Sequence, residues 1–397
     1  MMTIKLDERR RALARSVLSL TNKTGPLSHS ERDLLKRLQV EMAGLEDDIQ
    51  ADARRKHFQA WCGWLRHGLE QTQFQRGITP EERSILERRD LGTGGAYPGS
   101  SVGFFAPIEF QAQVESAMKF YAPLLDAGTI HDTITGSPKG FPVDNDTSIT
   151  GEQVDENAQV SNEDIGNLNQ VMLRSFKYSS RLVRVSMDLV ADVGFDLPGY
   201  LADRFGVRIA RALNPKLTTG SGTTEPFGVV TQATLGAAAV GSSSNTGGSE
   251  TGGTSIGTDD FAALEGSVDV AYRRNARWML HPDTLTALRK VKNKMGQPVF
   301  PALHASGEAR IMNYPIVLNP HMDPLPTMPN SPPVAKKTVL FGDFSKYVIR
   351  RVPPMVMRLE ERFIDFGGQI AFVMFQRFDA ALLDGGGGAA KVLTNVY

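Results

Sequence analysis

Leu217-Thr218-Thr219-Gly220-Ser221-Gly222-Thr223-Thr224-Glu225-Pro226-Phe227-Gly228-Val229-Val230 carries three glycines, one charge and an apolar exit. Glycine is the residue for left-handed or tightly approached backbone, so Gly220, Gly222 and Gly228 mark a compact loop with Glu225 as its only charged side chain. The loop lacks the Lys-Ser/Thr ending of a phosphate cradle. Directly before it, Leu197, Leu201, Phe205, Ile209 and Leu213 fall on one helical stripe. An amphipathic helix is therefore predicted over 196–213, closed by Asn214-Pro215.

Upstream of that helix, Phe176 to Met187 alternates as a strand. Residues 130–174 are rich in Gly, Asp, Asn and Thr, and read as a long projecting hairpin or loop. A helix is predicted over 108–121. Downstream, residues 241–253 read as a surface loop, and a helix is expected over 261–272. Arg277 to Leu280 reads as a strand, and His281-Pro282 as a helix start with proline in its first turn. Val339–Phe341, Tyr347–Val352, Met355–Leu359 and Ile370–Phe375 are expected to share one sheet.

The first 89 residues differ in texture. They hold 17 Lys and Arg against 13 Asp and Glu and five of the 38 glycines, while residues 90–397 hold 27 against 31. A composition boundary therefore falls near Arg89. Helices are expected over 6–20 and from a capping box at Ser28 and Glu31. Leu35, Leu38, Met42, Leu45 and Ile49 form a thin apolar seam at heptad spacing, suited to a partner helix or to folding back within the domain. Such a helix pair holds little core, so it reads as an association or scaffolding element.

The 397 residues are ample for a core, and 44 basic against 44 acidic side chains disfavour a bulk polyanion binder. One cysteine, Cys62, excludes an internal disulfide. The seven histidines are isolated, so no metal site is expected. Glu152, Asp155 and Glu156 read as a solvated acidic face. Gly253-Thr254-Ser255-Ile256-Gly257 matches a nucleophile elbow but lacks the buried strand that motif needs. No catalytic constellation and no cofactor are expected.

Several segments, in order, resemble the major capsid proteins of tailed bacteriophages. They are Ser186 to Asp192, the 217–230 loop, Trp278-Met279-Leu280-His281-Pro282, Met295 to Pro298, Tyr314 to Val317, Phe341-Gly342-Asp343 to Tyr347, and Arg377-Phe378-Asp379. Gly342, Asp343, Tyr347, Arg377 and Asp379 carry the signature. Asp188 stands where the family usually has Glu, and Tyr314 where it has Gly.

The resemblance implies an α+β capsid fold with peripheral and axial domains, a long N-terminal arm and an extended hairpin loop, preceded by a helical domain. Its expected parts are 1–89 (scaffolding-like helices), 90–135 (arm), 136–180 (extended loop), 181–226 (peripheral domain with its spine helix), 227–338 (axial domain) and 339–397 (peripheral sheet and tail). It implies a structural protein of the virion. Pentamers and hexamers of it would form an icosahedral shell around double-stranded DNA, which it touches weakly and without specificity. Assembly is expected in the host cytoplasm with a portal protein and a maturation protease as partners, and no membrane. Arg88-Arg89 is the candidate processing position. A nanocompartment shell around a cargo enzyme is the alternative. Glycines at 92–103 and 385–388 are expected to let one chain occupy both oligomers. Where the 217–228 loop meets a neighbour, Glu225 is expected to pair with an arginine there. Covalent cross-linking through the extended loop is not expected: Lys139 and Lys177 flank it, and no lysine lies between them.

Overall fold

A computed structural model of the chain describes residues 2–21, 29–68, 71–72, 75–89, 101–143, 153–154, 169–192, 194–239, 256–292, 295–303, 309–325, 335–359, 369–384 and 388–396. The chain divides into two compact units. One comprises Met1–Gln111, Arg184–Tyr200 and Val356–Phe372; the other comprises Ala112–Val183, Leu201–Met355 and Val373–Tyr397.

In the first unit, helices Met2–Thr21 and His29–His67 pack together. Leu45 is buried in the seam, with Leu35, Leu38, Met42 and Ile49 half-buried beside it, and Arg9 bonds Glu41 at 2.7 Å. The heptad face is thus covered within its own chain. The later part of the long helix departs from the expectation of little core. Ala60, Trp61, Trp64 and Leu65 are buried there together with Leu86 and Phe110, and the Trp61 and Phe110 rings stand 4.6 Å apart. Gly68 ends the helix at φ 74°, a conformation that favours glycine. Helix Pro80–Arg89 starts on a capping box unnoticed in the sequence: Thr79 N donates to Glu82 Oε2 at 2.9 Å, and Glu82 N to Thr79 Oγ1 at 3.3 Å. This unit continues past the composition break at Arg89. Ser28 of the expected capping box, most of the glycine arm and Gly385–Gly387 lie outside the described residues.

The second unit contains a six-stranded sheet in the order Arg310–Ile311, Tyr314–Leu318, Arg277–Leu280, Ala335–Gly342, Ala390–Val396, Thr234–Ala238. Trp278 pairs with Phe341 antiparallel and with Ile316 in parallel. Its core gathers Phe261, Trp278, Phe341, Leu264, Leu288 and Phe300, with Trp278 and Phe341 rings 4.1 Å apart. Helix Pro282–Lys290 begins as read: His281 Nδ1 accepts from Asp283 N at 3.0 Å.

A second sheet runs Ser101–Phe105, Tyr347–Leu359, Gln369–Leu382, Phe176–Ser179, with Thr129–Asp132 on the second of these strands and Val183–Ser186 on the third. Of the segments expected to share one sheet, Tyr347–Val352 and Met355–Leu359 form one continuous strand that pairs with the strand holding Ile370–Phe375, whereas Val339–Phe341 lies in the other sheet. The chain changes sheets at Gly342-Asp343, where a Cβ on Gly342 would meet Ala389 O at 2.1 Å and Asp343 caps the turn Phe344–Lys346. Pro353-Pro354 does not interrupt strand Tyr347–Leu359, because an extended backbone suits proline's fixed φ.

Helix Leu197–Thr219 runs through Pro215 instead of stopping before it. Leu217 and Thr218 are both fully buried, so the apolar stripe extends one turn further and offsets the hydrogen bond lost at proline. The expected helix over 261–272 is two helices, Thr258–Ser267 and Val270–Arg273, because Asp269 caps a new start by accepting from Ala271 N at 2.9 Å. The strand expected over 176–187 breaks at Ser180–Leu182, with Arg181 at φ 57°. Strands Lys139–Val143 and Asn169–Leu173 pair antiparallel, Lys139 opposite Leu173 and Val143 opposite Asn169. They form the root of the expected hairpin, whose further residues, apart from 153–154, lie outside the description.

Candidate functional site

The polar side chains that organise the second unit converge where the hairpin leaves the body. Arg350, on strand Tyr347–Leu359, is 1% exposed. Its Nη1 donates to Leu173 O at 2.8 Å and Arg174 O at 3.0 Å, Nη2 to Thr135 O at 2.8 Å, and Nε to Thr133 Oγ1 at 3.1 Å. One planar guanidinium thus grips both legs of the hairpin, a task its fixed fork of donors suits. Burial pushes the Arg350 pKa down and Asp379 pulls it back, yet an arginine keeps its charge at any ordinary pH.

Arg351 faces the other way. Its Nε and Nη2 hold both Asp132 oxygens, at 2.6 and 2.9 Å, and Nη1 reaches Glu115 Oε2 at 2.8 Å. Glu115 lies on helix Ile108–Tyr121 and also meets Lys119 at 3.3 Å. Burial would raise the Glu115 pKa, but its bonds to Arg351 and Lys119 prevail and hold it below the usual range.

Asp379 supplies the counter-charge from strand Gln369–Leu382. It accepts from Arg174 N and, at 2.8 Å, from Ala380 N. Burial raises its pKa, and those bonds together with the charges of Arg350 and Arg174 only partly reverse this. Tyr347 is fully buried. Its hydroxyl lies 2.7 Å from Phe227 O and 3.0 Å from Leu217 O, so it ties the two ends of the glycine loop. Burial pushes its pKa far up, which keeps it a neutral donor.

The loop glycines serve close approach. A Cβ would meet Pro226 O at 2.2 Å from Gly220, the Phe227 ring at 2.2 Å from Gly222, and Gly220 N at 2.5 Å from Gly228. Gly222 also sits at φ 77°. Glu225 is paired within its own chain. Its Oε2 lies 2.5 Å from Lys216 Nζ, and Oε1 accepts from Ser221 N at 3.1 Å. Lys216 occupies the last turn of helix Leu197–Thr219, beside the loop. These two bonds hold the Glu225 pKa below its ordinary value. Arg174 Nη1 lies 3.4 Å from Thr223 O and so links hairpin and loop.

Of the sequence-predicted residues, Gly220, Gly222, Glu225, Gly228, Tyr347 and Asp379 belong to this cluster. Gly342 and Asp343 form the sheet-changing turn, and exposed Arg377 lies against Gly136. Arg88 and Arg89 end helix Pro80–Arg89, and their side chains lie outside the description. Arg350 and Arg351 were missed. The available signal was two adjacent arginines in a strand whose only other charge is Arg358. Gly257 precedes helix Thr258–Ser267 as its cap, and Ser255 of the elbow-like motif lies outside the described residues. Among the described residues no three His, Cys, Asp or Glu side chains are grouped to hold a metal.

The arrangement clamps the paired strands Lys139–Val143 and Asn169–Leu173 and a tight loop onto a sheet. A sequence model of the phage capsid family matches residues 102–394. The chain belongs to that family. The capsid of a native GTA particle is similar in fold, with a TM-score of 0.55 and 22% identity over 69% of this chain and 90% of that one. The capsid of an empty GTA particle gives 0.54 and 22% over the same shares. No curated protein sequence matches. A member of the phage capsid family is a structural protein of the virion shell rather than an enzyme. The α+β capsid fold expected from the signature segments is the fold found.

Proposed function

We propose that this capsid protein assembles as pentamers and hexamers into an icosahedral shell enclosing double-stranded DNA, with a portal protein and a maturation protease as partners, in the host cytoplasm. The observation that carries the reading is the hairpin root. Arg350 spends four hydrogen bonds on fixing two paired strands whose connecting residues, 144–168, are by composition too polar to form core. A subunit that anchors a polar projection so firmly is built to reach another subunit. The DNA contact is weak and non-specific in this reading, since residues 90–397 carry 27 basic against 31 acidic side chains.

Residues 1–89 serve as a built-in scaffold. Arg88-Arg89 is the processing candidate, and the packing of Trp61, Trp64 and Leu86 with Phe110 argues that this segment stays, because a cut there would strip cover from Phe110. Electron microscopy of the expressed chain should reveal closed shells. Only soluble subunits at high concentration would overturn the reading. Deleting residues 1–89 should give misassembled particles, and intact mass of mature particles reads retention or loss of the segment directly.

A further inference from the structure

Away from the hairpin root, the second unit has an open depression of about 500 Å³ lined by Arg274, Arg277 and Arg310, with Asn275, Asn313 and Ser345 on its walls. It lies where the ends of neighbouring strands meet. Arg277 leads its strand and pairs with Gly342 on one side, and the same strand runs parallel to Tyr314–Leu318 on the other, with Trp278 beside Ile316. Arg310 stands opposite Pro315 across a two-residue turn, Met312 and Asn313, both at positive φ. Sheet register thus brings Arg277 and Arg310 to one rim, and the turn that follows Gly342 closes it with Asp343, Phe344 and Ser345.

Arg274 and Arg277 have no ion-pair partner among the described residues. Their neighbour Arg273 is spent on main chain, donating to Val268 O at 2.9 Å and Gly266 O at 3.0 Å. The one carboxylate in the lining, Asp343, accepts from Ser345 N at 2.9 Å. Glu265, behind the wall, accepts from the Tyr314 hydroxyl at 3.1 Å. Three guanidiniums against one carboxylate leave two positive charges in excess. The chain as a whole holds 44 charges of each sign, so this excess is local and sits in a concave place.

We propose that the arginine-lined depression is a phosphate-binding site, taking either successive phosphates of a nucleic-acid backbone or a free polyphosphate. Charge favours phosphate over carboxylate. One carboxylate cancels a single positive charge, whereas a phosphate dianion or two consecutive backbone phosphates cancel both. Guanidinium also meets phosphate oxygens through two parallel hydrogen bonds, and the side chains of Asn275, Asn313 and Ser345 add neutral donors beside them. Size points the same way. A depression of about 500 Å³ is too large for a lone ion and lies in the ~300–1,000 Å³ range of sites for larger ligands. The site is independent of the shell reading, because the subunit carries it whether or not it assembles.

Titration of the purified full-length subunit with tripolyphosphate and with a short DNA duplex checks this. R274Q/R277Q should weaken binding by at least ~10-fold, and K290Q/K292Q, which removes the same charge outside the depression, should not. For the duplex, the loss should appear as a shallower dependence of log affinity on log salt, the slope falling by about two. That change in slope assigns the site to nucleic-acid backbone. Loss of tripolyphosphate binding with an unchanged duplex slope assigns it to free polyphosphate. No binding of either probe overturns the proposal, and so does equal weakening by K290Q/K292Q, which would make the effect one of overall charge. Binding of an oligoglutamate peptide as tightly as the phosphates overturns it as well, in favour of an acidic protein partner. If R274Q/R277Q melts abnormally, D343N decides. It removes the only acid in the lining while keeping an acceptor for Ser345 N, so tripolyphosphate should bind more tightly, a gain that misfolding cannot produce. Unchanged or weaker binding by D343N refutes the site.

Discussion

Replacing Arg350 with methionine keeps the volume and removes the clamp. The side chain makes four hydrogen bonds, three of them to main-chain carbonyls, and is 1% exposed. Hydrogen bonds involving a charged group are worth ~1.5–3 kcal/mol each, though far from additively. Against their loss stands relief from holding a buried cation. Breaking a buried charged network by removing one partner costs ~3–5 kcal/mol, and we expect R350M at the lower end of that range. R350K keeps a charge but not the planar fork, so its loss should be smaller, ~1–3 kcal/mol.

The deficit should also depend on pH. Asp379 has a raised pKa in the folded protein, so it costs stability above that pKa, and protonation recovers the cost as pH falls toward its unfolded value. Arg350 is one of the charges that restrain the rise. R350M should therefore be most impaired near neutrality, and the gap to the unaltered protein should narrow on mild acidification. Denaturant unfolding of the purified subunit measures the loss, and proteolysis of the 139–173 segment reports the freed hairpin. An R350M subunit within about 1 kcal/mol of the unaltered one at neutral pH, with equal hairpin protection, would refute the clamp.

Trp61→Ala should destabilise the first unit by ~3–5 kcal/mol and uncover Phe110, read as a lower melting temperature; an unchanged melt would contradict the packing. Gly222→Ala forces a Cβ onto the Phe227 ring at φ 77° and should cost at least ~1 kcal/mol, whereas Gly266→Ala, with open space around it, should not. Glu115 contributes stability that is present above its unfolded pKa and lost as pH falls through its lowered folded pKa. E115Q should therefore lose stability at neutral pH and flatten the acid limb of the curve, checked by melts from neutral to acid pH. Boiled mature particles should run as one band without a multimer ladder. Lys139 Nζ donates to His131 Nε2 at 2.8 Å and Lys177 Nζ sits 3.9 Å from the Phe375 ring centre, so neither lysine extends toward the hairpin tip.

Local signals were read correctly where one turn or a few residues decide the outcome. Helix Ile108–Tyr121 and strand Arg277–Leu280 occupy the residues their periodicity indicated, and His281-Pro282 starts a helix because cap and proline act on adjacent backbone. The antiparallel pairing of Lys139–Val143 with Asn169–Leu173 was visible as short strand pieces in a polar stretch. The glycine loop was legible as tight backbone. That Gly222 must clear Phe227, and Gly228 must clear Gly220, was not, because those contacts depend on how the loop closes.

Seen along the chain, Arg350 is one charge in a strand. It becomes the hairpin clamp only because pairing of Val348–Arg351 with Thr129–Asp132 brings Thr133 and Thr135 beside it, from more than two hundred residues away. The assignment of Val339–Phe341 to one sheet and Tyr347–Leu359 to another follows the same logic. Both read as strands, and a strand's own residues do not name its partner. Pro215 shows the balance from the other side: propensity says stop, and burial of Leu217 and Thr218 carries the helix on to Thr219. Sequence by itself determined the amphipathic stripes, the caps, the polar stretch between two short strands and the order of the signature segments, all of them properties of near neighbours. Tertiary structure decided strand partners, buried charges and where helices end, because those free energies arise between residues that only folding brings together.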